Sequence, residues 1–165
     1  MEPTAVFKTA VMARQDKPAF EQFYCDHRES AYRLACVVLG TREGADDVVQ
    51  EAFLKVLSRW KRVSQMDDPP AFLKKVVVRC GIDSMRRNAR RRETPLKETQ
   101  TLNQDSLAVR MALEKLRPKD RALLALIVGE GWSYAEASIA LGIKEGTVAS
   151  RLHAAKAAFR RVWDE

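Results

Sequence analysis

Apolar residues recur at helical spacing along most of this chain, and no segment alternates apolar and polar residues as a β-strand would. A first amphipathic helix is predicted over residues 20–38, with Gly40 well placed to end it. A second helix is predicted from about Glu43 to Trp60, before a break at Met66 to Pro70. A third begins near Pro70 and continues through Arg92. The pattern therefore predicts an all-α protein.

Residues 93–106 differ in composition from the segments on either side. They are polar, lack aromatic residues and contain Pro95, which is typical of a linker. Helical spacing resumes beyond them, and Pro118 can open a further helix at its first turn. Two small helical domains are therefore predicted, residues 1–92 and residues 107–165, the second with four helices.

The stretch from Trp132 to Trp163 has the pattern of a helix-turn-helix. Ser133 and Glu136 form an S-x-x-E capping box, which starts a helix by satisfying its first free N–H groups. Gly142 falls where the chain must turn, a position that favours positive φ. The following helix has one apolar stripe, formed by Val148, Leu152, Ala155, Phe159 and Val162. The opposite side is left able to enter a DNA major groove.

The chain has 165 residues and a formal net charge of +7, and such a basic balance favours a polyanionic partner such as nucleic acid. Residues 1–92 hold 18 Lys and Arg against 12 Asp and Glu, and residues 107–165 hold 10 against 7. The linker holds one against three. Both domains, but not the linker, are therefore expected to touch nucleic acid.

Other classes of protein receive little support from the sequence. No apolar run reaches membrane-spanning length and the N-terminus lacks a signal-peptide pattern, so a cytoplasmic protein without membrane insertion is predicted. Cys25, Cys36 and Cys80 are scattered, and we interpret them as reduced, mostly buried thiols. His27 and His153 lack a second ligand at metal-binding spacing. We expect no metal, no cofactor and no enzymatic activity.

Three polar side chains share one face of the second predicted helix, because Asp47, Gln50 and Glu51 stand at i, i+3 and i+4. Val49 and Phe53 point toward the core instead. From the physics alone a solvated helix face is favoured. The sharper hypothesis is a docking patch for a basic helical surface of another protein.

A basic stripe follows one side of the third predicted helix. Its members, at steps of three or four residues, are Lys75, Arg79, Arg86 and Arg90, with Asp83 among them. Arg87 lies within residues 86–92, where five of seven residues are arginines. A solubilising helix end is the alternative, but five arginines exceed that need, so phosphate contacts are favoured. Asp83 is expected to pair with a neighbouring arginine.

The second helix of the helix-turn-helix carries six candidates for DNA contact: Lys144, Thr147, Ser150, Arg151, His153 and Lys156. Ser150 and His153 could reach base edges, whereas the longer cationic side chains suit phosphates. Lys144 and Thr147 lie at the helix start, where backbone N–H groups can also meet a phosphate. For Arg151, an intramolecular ion pair and a phosphate contact are equally favoured. For Arg160 and Arg161, a solvated helix end is a serious alternative to phosphate contact.

These features occur together in a known family. The chain resembles bacterial sigma factors of the extracytoplasmic-function (ECF) group, over residues from Phe20 to Trp163. The segment Ala45–Phe53, ADDVVQEAF, is similar to the polymerase-docking motif of that family. The segment Gly146–His153, GTVASRLH, is similar to the pattern G-T-V-x-S-R-L-H of its promoter-binding domain. The Arg-rich helix and the polar linker stand between them in the same order.

The resemblance implies a subunit that binds core RNA polymerase and directs promoter-specific initiation in response to a stress or envelope signal. The polymerase contacts would involve the β subunit and the clamp helices of the β′ subunit, the latter through Asp47, Gln50 and Glu51. The residues facing the minus-ten promoter element would be Lys75, Arg79, Arg86 and Arg87. The helix-turn-helix would read the minus-thirty-five element, and an anti-sigma factor is the expected regulator.

Two departures from the family pattern concern DNA reading. Many members carry an Asn four residues before the position of Asp83, where this chain has Arg79. Ala149 occupies a position that is often basic, so the family's base preferences do not carry over. The alternative function is a stand-alone helix-turn-helix regulator that binds DNA as a dimer. A protein-binding decoy that uses only the docking face ranks below it.

Overall fold

The described residues of the N-terminal half form four helices. The computed structural model describes residues 16–91, 109 and 111–163, and every regular element within those residues is helical. In chain order the N-terminal elements are α1 (Asp16–Leu39), α2 (Ala45–Leu57), α3 (Trp60–Val63) and α4 (Pro69–Arg91). The predicted all-α fold is confirmed.

The C-terminal half ends in the predicted helix-turn-helix. Its described elements are helical residues 111–114, α5 (Pro118–Leu123), a π-helical turn (Leu124–Gly129), α6 (Tyr134–Leu141) and α7 (Glu145–Trp163). The π-helical turn continues α5 directly, so four helical segments are present as predicted. The predicted linker, residues 93–106, lies outside the described residues.

Local signals in the sequence set several of the helix ends. Gly40 follows α1 with φ +74°, and Pro118 is the first residue of α5. The Ser133 hydroxyl accepts from the Glu136 N–H, and the Glu136 carboxylate accepts from the Ser133 N–H, completing the capping box. Gly142 ends α6 with φ +62°, which makes the turn into α7.

Two features of the helices differ from the predictions. The second predicted helix was expected to reach Trp60, but α2 ends at Leu57 and Trp60 begins the short α3. The Ser58 hydroxyl donates to the Lys55 carbonyl at 2.8 Å, and Arg59 leaves the helical region with φ −125°. A serine that bonds the backbone locally in this way competes with continued helix. The π-helical turn was not predicted from the spacing of its apolar residues.

The buried side chains of both halves form a single apolar cluster. In the N-terminal half, edge-on aromatic contacts place Phe20 5.2 Å from Trp60 and 6.4 Å from Phe53 between ring centroids. From the C-terminal half, Leu123 and Leu126 join the same cluster and are fully buried. The two halves are therefore packed against each other. No described helix is both long and apolar enough to span a membrane.

Candidate nucleic-acid and protein interfaces

The acidic face of α2 is exposed, as the sequence predicts. Asp47 and Gln50 lie in solvent, Glu51 is half-buried, and Val49 and Phe53 on the other side of the helix are buried. Asp47 belongs to the first turn of α2, where a negative charge also favours the helix dipole. The exposure of these side chains therefore agrees equally with a solvated helix face and with a docking patch.

An exposed apolar strip beside this acidic face favours docking. Leu54 is 43% exposed and Tyr24 is 36% exposed. Both line a shallow crevice of about 350 Å³, together with Gln50 and Asp46. An apolar centre with a polar rim is the usual arrangement of a protein interface, so this strip makes the patch a candidate docking surface. Neither Tyr24 nor Leu54 was predicted to contribute to an interface, because an apolar residue in a helix gives no sign in the sequence of being exposed.

Glu51 joins the acidic face of α2 to the arginine-rich end of α4. Its two carboxylate oxygens accept from Lys55 Nζ at 2.8 Å and from Arg87 Nη2 at 3.1 Å. Partial burial opposes ionisation, but the hydrogen bonds from these two cations prevail and lower the pKa of Glu51. A residue predicted to contact polymerase and one predicted to contact DNA are thus paired.

Three cations of the basic stripe on α4 face the C-terminal half. Lys75 Nζ lies 5.6 Å from the centroid of the Trp132 ring. Arg79 donates to two carbonyls of α6, and Arg86 lines crevices shared with α5, α6 and α7. Asp83 lies 3.7 Å from Arg86, which is the arginine pairing that we expected. The Arg90 side chain is outside the described part of the structure.

The outward side of α7 is open to solvent at Ser150, His153 and Lys156. Ser150 Oγ donates to the Thr147 carbonyl at 3.1 Å, so its hydroxyl already has a partner in its own helix. Lys144, at the start of the helix, is exposed, and Thr147 is half-buried. The recognition helix is thus presented on the surface.

Arg151 occupies a different environment from its neighbours on α7. It is half-buried in a crevice beside Met85 and Arg86 of α4. Within the described residues it forms no ion pair. The predicted alternative of an intramolecular ion pair for Arg151 therefore has no carboxylate partner among the described residues. The side chain lies where the two halves meet.

The cysteines do not form a cluster. Cys80 is buried and Cys36 half-buried, and burial raises the pKa of both thiols. Cys25 is exposed, so the expectation of mostly buried cysteines is wrong for that residue. Among the side chains that the structure describes, no group of three or more His, Cys, Asp or Glu could hold a metal ion.

A helix-turn-helix with an open recognition helix and a second basic helix are features of a DNA-binding protein, and the separate acidic-apolar patch is a candidate docking surface for another protein. The family model for Sigma-70 region 2 matches residues 23–91, and that for Sigma-70, region 4 matches residues 106–159. The ECF RNA polymerase sigma factor SigL of Mycobacterium tuberculosis is 33% identical over 154 residues, covering 86% of this chain and 87% of SigL. The chain belongs to the ECF RNA polymerase sigma factors.

Further similarities agree with this membership. The ECF RNA polymerase sigma factor SigE of Mycolicibacterium smegmatis is 32% identical over 167 residues, which is 91% of this chain and 63% of SigE. Among solved structures, the sigma factor RpoE of Bartonella quintana, in complex with the anti-sigma factor NepR, has a TM-score of 0.73. It covers 88% of this chain and 97% of its own at 20% identity, a likeness of fold.

Proposed function

We propose that this sigma factor binds core RNA polymerase through α2 and directs it to promoters that α4 and α7 contact together. The single observation that carries the docking role is the exposed pair Asp47 and Gln50 beside the apolar strip of Tyr24 and Leu54. It acts in the cytoplasm, with polymerase. The chain itself is not an enzyme and takes no cofactor, because polymerase supplies the chemistry of RNA synthesis.

Asp47, Gln50 and Glu51 are the proposed contacts to the clamp helices of the β′ subunit, with further contacts to the β subunit. A carboxylate and an amide can pair with cationic side chains, while Leu54 and Tyr24 supply apolar area. Glu51 also holds Arg87. Docking at Glu51 would therefore compete with this pair and leave Arg87 available to DNA.

The proposed minus-ten contacts lie on α4 and are Lys75, Arg79, Arg86, Arg87 and Arg90. Long cationic side chains on one helix suit phosphate contacts, which supply affinity that falls as salt rises. The proposed minus-thirty-five contacts lie on α7 and its start: Lys144, Thr147, Ser150, Arg151, His153 and Lys156. Among them His153 is exposed on the outward side, where it can meet base edges. An anti-sigma factor is the proposed regulator.

The deciding experiment is a pull-down with purified bacterial core RNA polymerase. Wild type is compared with Asp47→Ala, Gln50→Ala, and with Gln65→Ala, Asp67→Ala as a control in which the same exposed residue types change elsewhere. The docking double variant should bind at least roughly tenfold more weakly, because two polar contacts are lost. The control should bind like wild type.

Equal binding of both double variants would refute docking through Asp47 and Gln50. Absence of binding by folded wild type, free of any inhibitor, would instead favour the stand-alone DNA regulator. Circular dichroism of each variant separates a lost contact from a lost fold, since both changed residues of each pair are exposed.

A further inference from the structure

A cavity lined by cations lies between α4, the start of α5 and α7. Its volume is about 500 Å³. The four cations that line it are Arg86, Arg117, Lys119 and Arg151. Among the described residues that line this cavity, none is an aspartate or a glutamate. This cavity, with its four cations, is the cationic crevice.

Two of the four cations carry a charge that no described carboxylate neutralises. Lys119 and Arg151 are both half-buried. Neither forms an ion pair within the described part of the chain. Burial removes part of the water that would otherwise solvate an ammonium or a guanidinium. A cation in such a site attracts an anion more strongly than a fully solvated one does.

The other two cations are only partly engaged by neighbouring carboxylates. Arg117 donates through Nε to Asp120 at 2.9 Å, and its side chain is 74% exposed. Arg86 lies 3.7 Å from Asp83, which is longer than a charge-assisted hydrogen bond. A guanidinium has five N–H donors, so both arginines keep donors for a ligand. Four cations against these two carboxylates leave an excess of two positive charges.

Apolar side chains line the cavity between the cations. Ile82 is 7% exposed, and Met85 is half-buried beside it on α4. The Met85 sulfur accepts from Arg121 Nη2 at 3.3 Å, a contact that holds the side chain in place. Pro118 contributes a further apolar surface from the start of α5. The cationic crevice therefore offers apolar contact as well as positive charge.

We propose that the cationic crevice binds a nucleoside polyphosphate. Its phosphates would lie against Lys119 and Arg151, and its base against Met85 and Pro118. Arginine pairs with phosphate oxygens in a bidentate manner and also stacks on planar rings, so Arg86 suits either part of this ligand. Small-molecule sites are concave, mostly apolar and roughly 300 to 1,000 Å³ in volume. A cavity of about 500 Å³ between three elements therefore suits a nucleotide better than the convex backbone of a DNA duplex.

Isothermal titration calorimetry of the full-length chain with ATP and with GTP, at low salt and without divalent metal, tests this site. Wild type is compared with Lys119→Ala, Arg151→Ala. The matched control is Lys61→Ala, Arg62→Ala, which also removes one lysine and one arginine, both exposed on α3 and outside the crevice. The crevice variant should bind the nucleotide at least about tenfold more weakly, because two charge-assisted contacts are lost. The control should bind like wild type.

A second variant introduces a negative charge into the same site. Ala89 lines the crevice and is exposed, so Ala89→Glu should fold like wild type. Its carboxylate should repel the phosphates and weaken binding at least about tenfold. Circular dichroism of each variant checks the fold. Lys119 and Arg151 lack ion pairs among the described residues, so their removal leaves no described carboxylate without its partner.

Inorganic tripolyphosphate separates recognition of the base from simple attraction of an anion. It should bind at least about tenfold more weakly than ATP or GTP, because it cannot cover the apolar surface of Ile82 and Met85. Equal affinity for tripolyphosphate and the nucleotides would overturn the assignment to a nucleoside polyphosphate. Absence of saturable nucleotide binding by folded wild type, or equal weakening in the crevice and control double variants, would overturn the site itself.

Discussion

At the scale of single residues, Gly40 and Arg121 show what can be read from a sequence and what cannot. The position of Gly40 after an apolar helical pattern predicts a helix end, and its φ of +74° agrees. Arg121 is a buried cation whose partners at Val38 and Leu39 lie more than eighty residues earlier. The spacing of residues near Arg121 does not indicate such a distant partner, so the sequence alone favours an exposed arginine at this position.

Replacing Gly40 by Ala should destabilise the fold more than replacing Gly44 by Ala. Both glycines have φ near +75°, so each alanine bears the left-handed penalty of about 1 kcal/mol. Only at position 40 would the new Cβ meet a neighbour, the Arg121 guanidinium carbon at 3.1 Å. Moving that side chain weakens its charged hydrogen bonds, and we expect about 1 kcal/mol of additional loss. Urea denaturation of the two variants measures the difference, and equal losses would contradict the contact.

At the scale of elements, helix ends marked by a capping residue or a turn glycine were predicted, whereas interruptions within an apolar run were not. The capping box at Ser133 and the turn at Gly142 depend on residues close in sequence, and both are present. The break after Leu57, where the Ser58 hydroxyl donates to the Lys55 carbonyl, and the π-helical turn at Leu124–Gly129 both interrupt apolar runs. Their apolar residues fit an uninterrupted α-helix equally well.

The capping box should contribute pH-dependent stability to α6. Hydrogen bonds from the Ser133 backbone and hydroxyl lower the pKa of Glu136 from its ordinary value of 4.5. A depressed pKa means that the contribution is complete above about pH 4.5 and is lost as the pH falls through the folded-state value. The stability difference between wild type and Glu136→Gln, measured in urea from pH 7 to pH 3, should shrink in acid.

Ser133→Ala provides the companion to that measurement. Loss of the N-cap acceptor should cost about 1 kcal/mol at neutral pH. In the Ser133→Ala background the acid-dependent effect of Glu136→Gln should be smaller, because one donor to the carboxylate is gone. A pH-independent difference in both backgrounds would show that Glu136 is not held by the cap.

At the scale of the whole molecule, the packing interface between the two halves was the main feature that could not be predicted from the sequence. The polar linker predicts two separate units, and the basic stripe predicts a solvent-facing or DNA-facing side of α4. Val78 and Ile82 stand next to members of that stripe, yet both are buried. Their presence beside the basic stripe was a signal of a second packing surface. Which element covers it depends on long-range topology, and spacing along one helix does not contain that information. The exposure of Asp47, Gln50, Ser150 and His153 agrees with the faces predicted from helical spacing, but the half-burial of Arg151 and the internal contacts of Lys75 and Arg79 were not predicted.

A core shared between the halves should make them unfold together. Two single-tryptophan chains report on one half each. One keeps Trp60 in α3 and the other keeps Trp132 before α6, with the remaining tryptophans replaced by Phe. Both side chains belong to the same buried cluster. Their urea transitions should therefore coincide, after correction for the stability that the Phe replacements remove from each chain. Ile82→Ala should then lower the free energy of unfolding reported by each tryptophan by about 2 to 4 kcal/mol, and shift both urea midpoints to the same lower concentration. If the halves were independent, Ile82→Ala would shift the Trp60 transition and leave the Trp132 transition in place, and the shared core would not exist in solution.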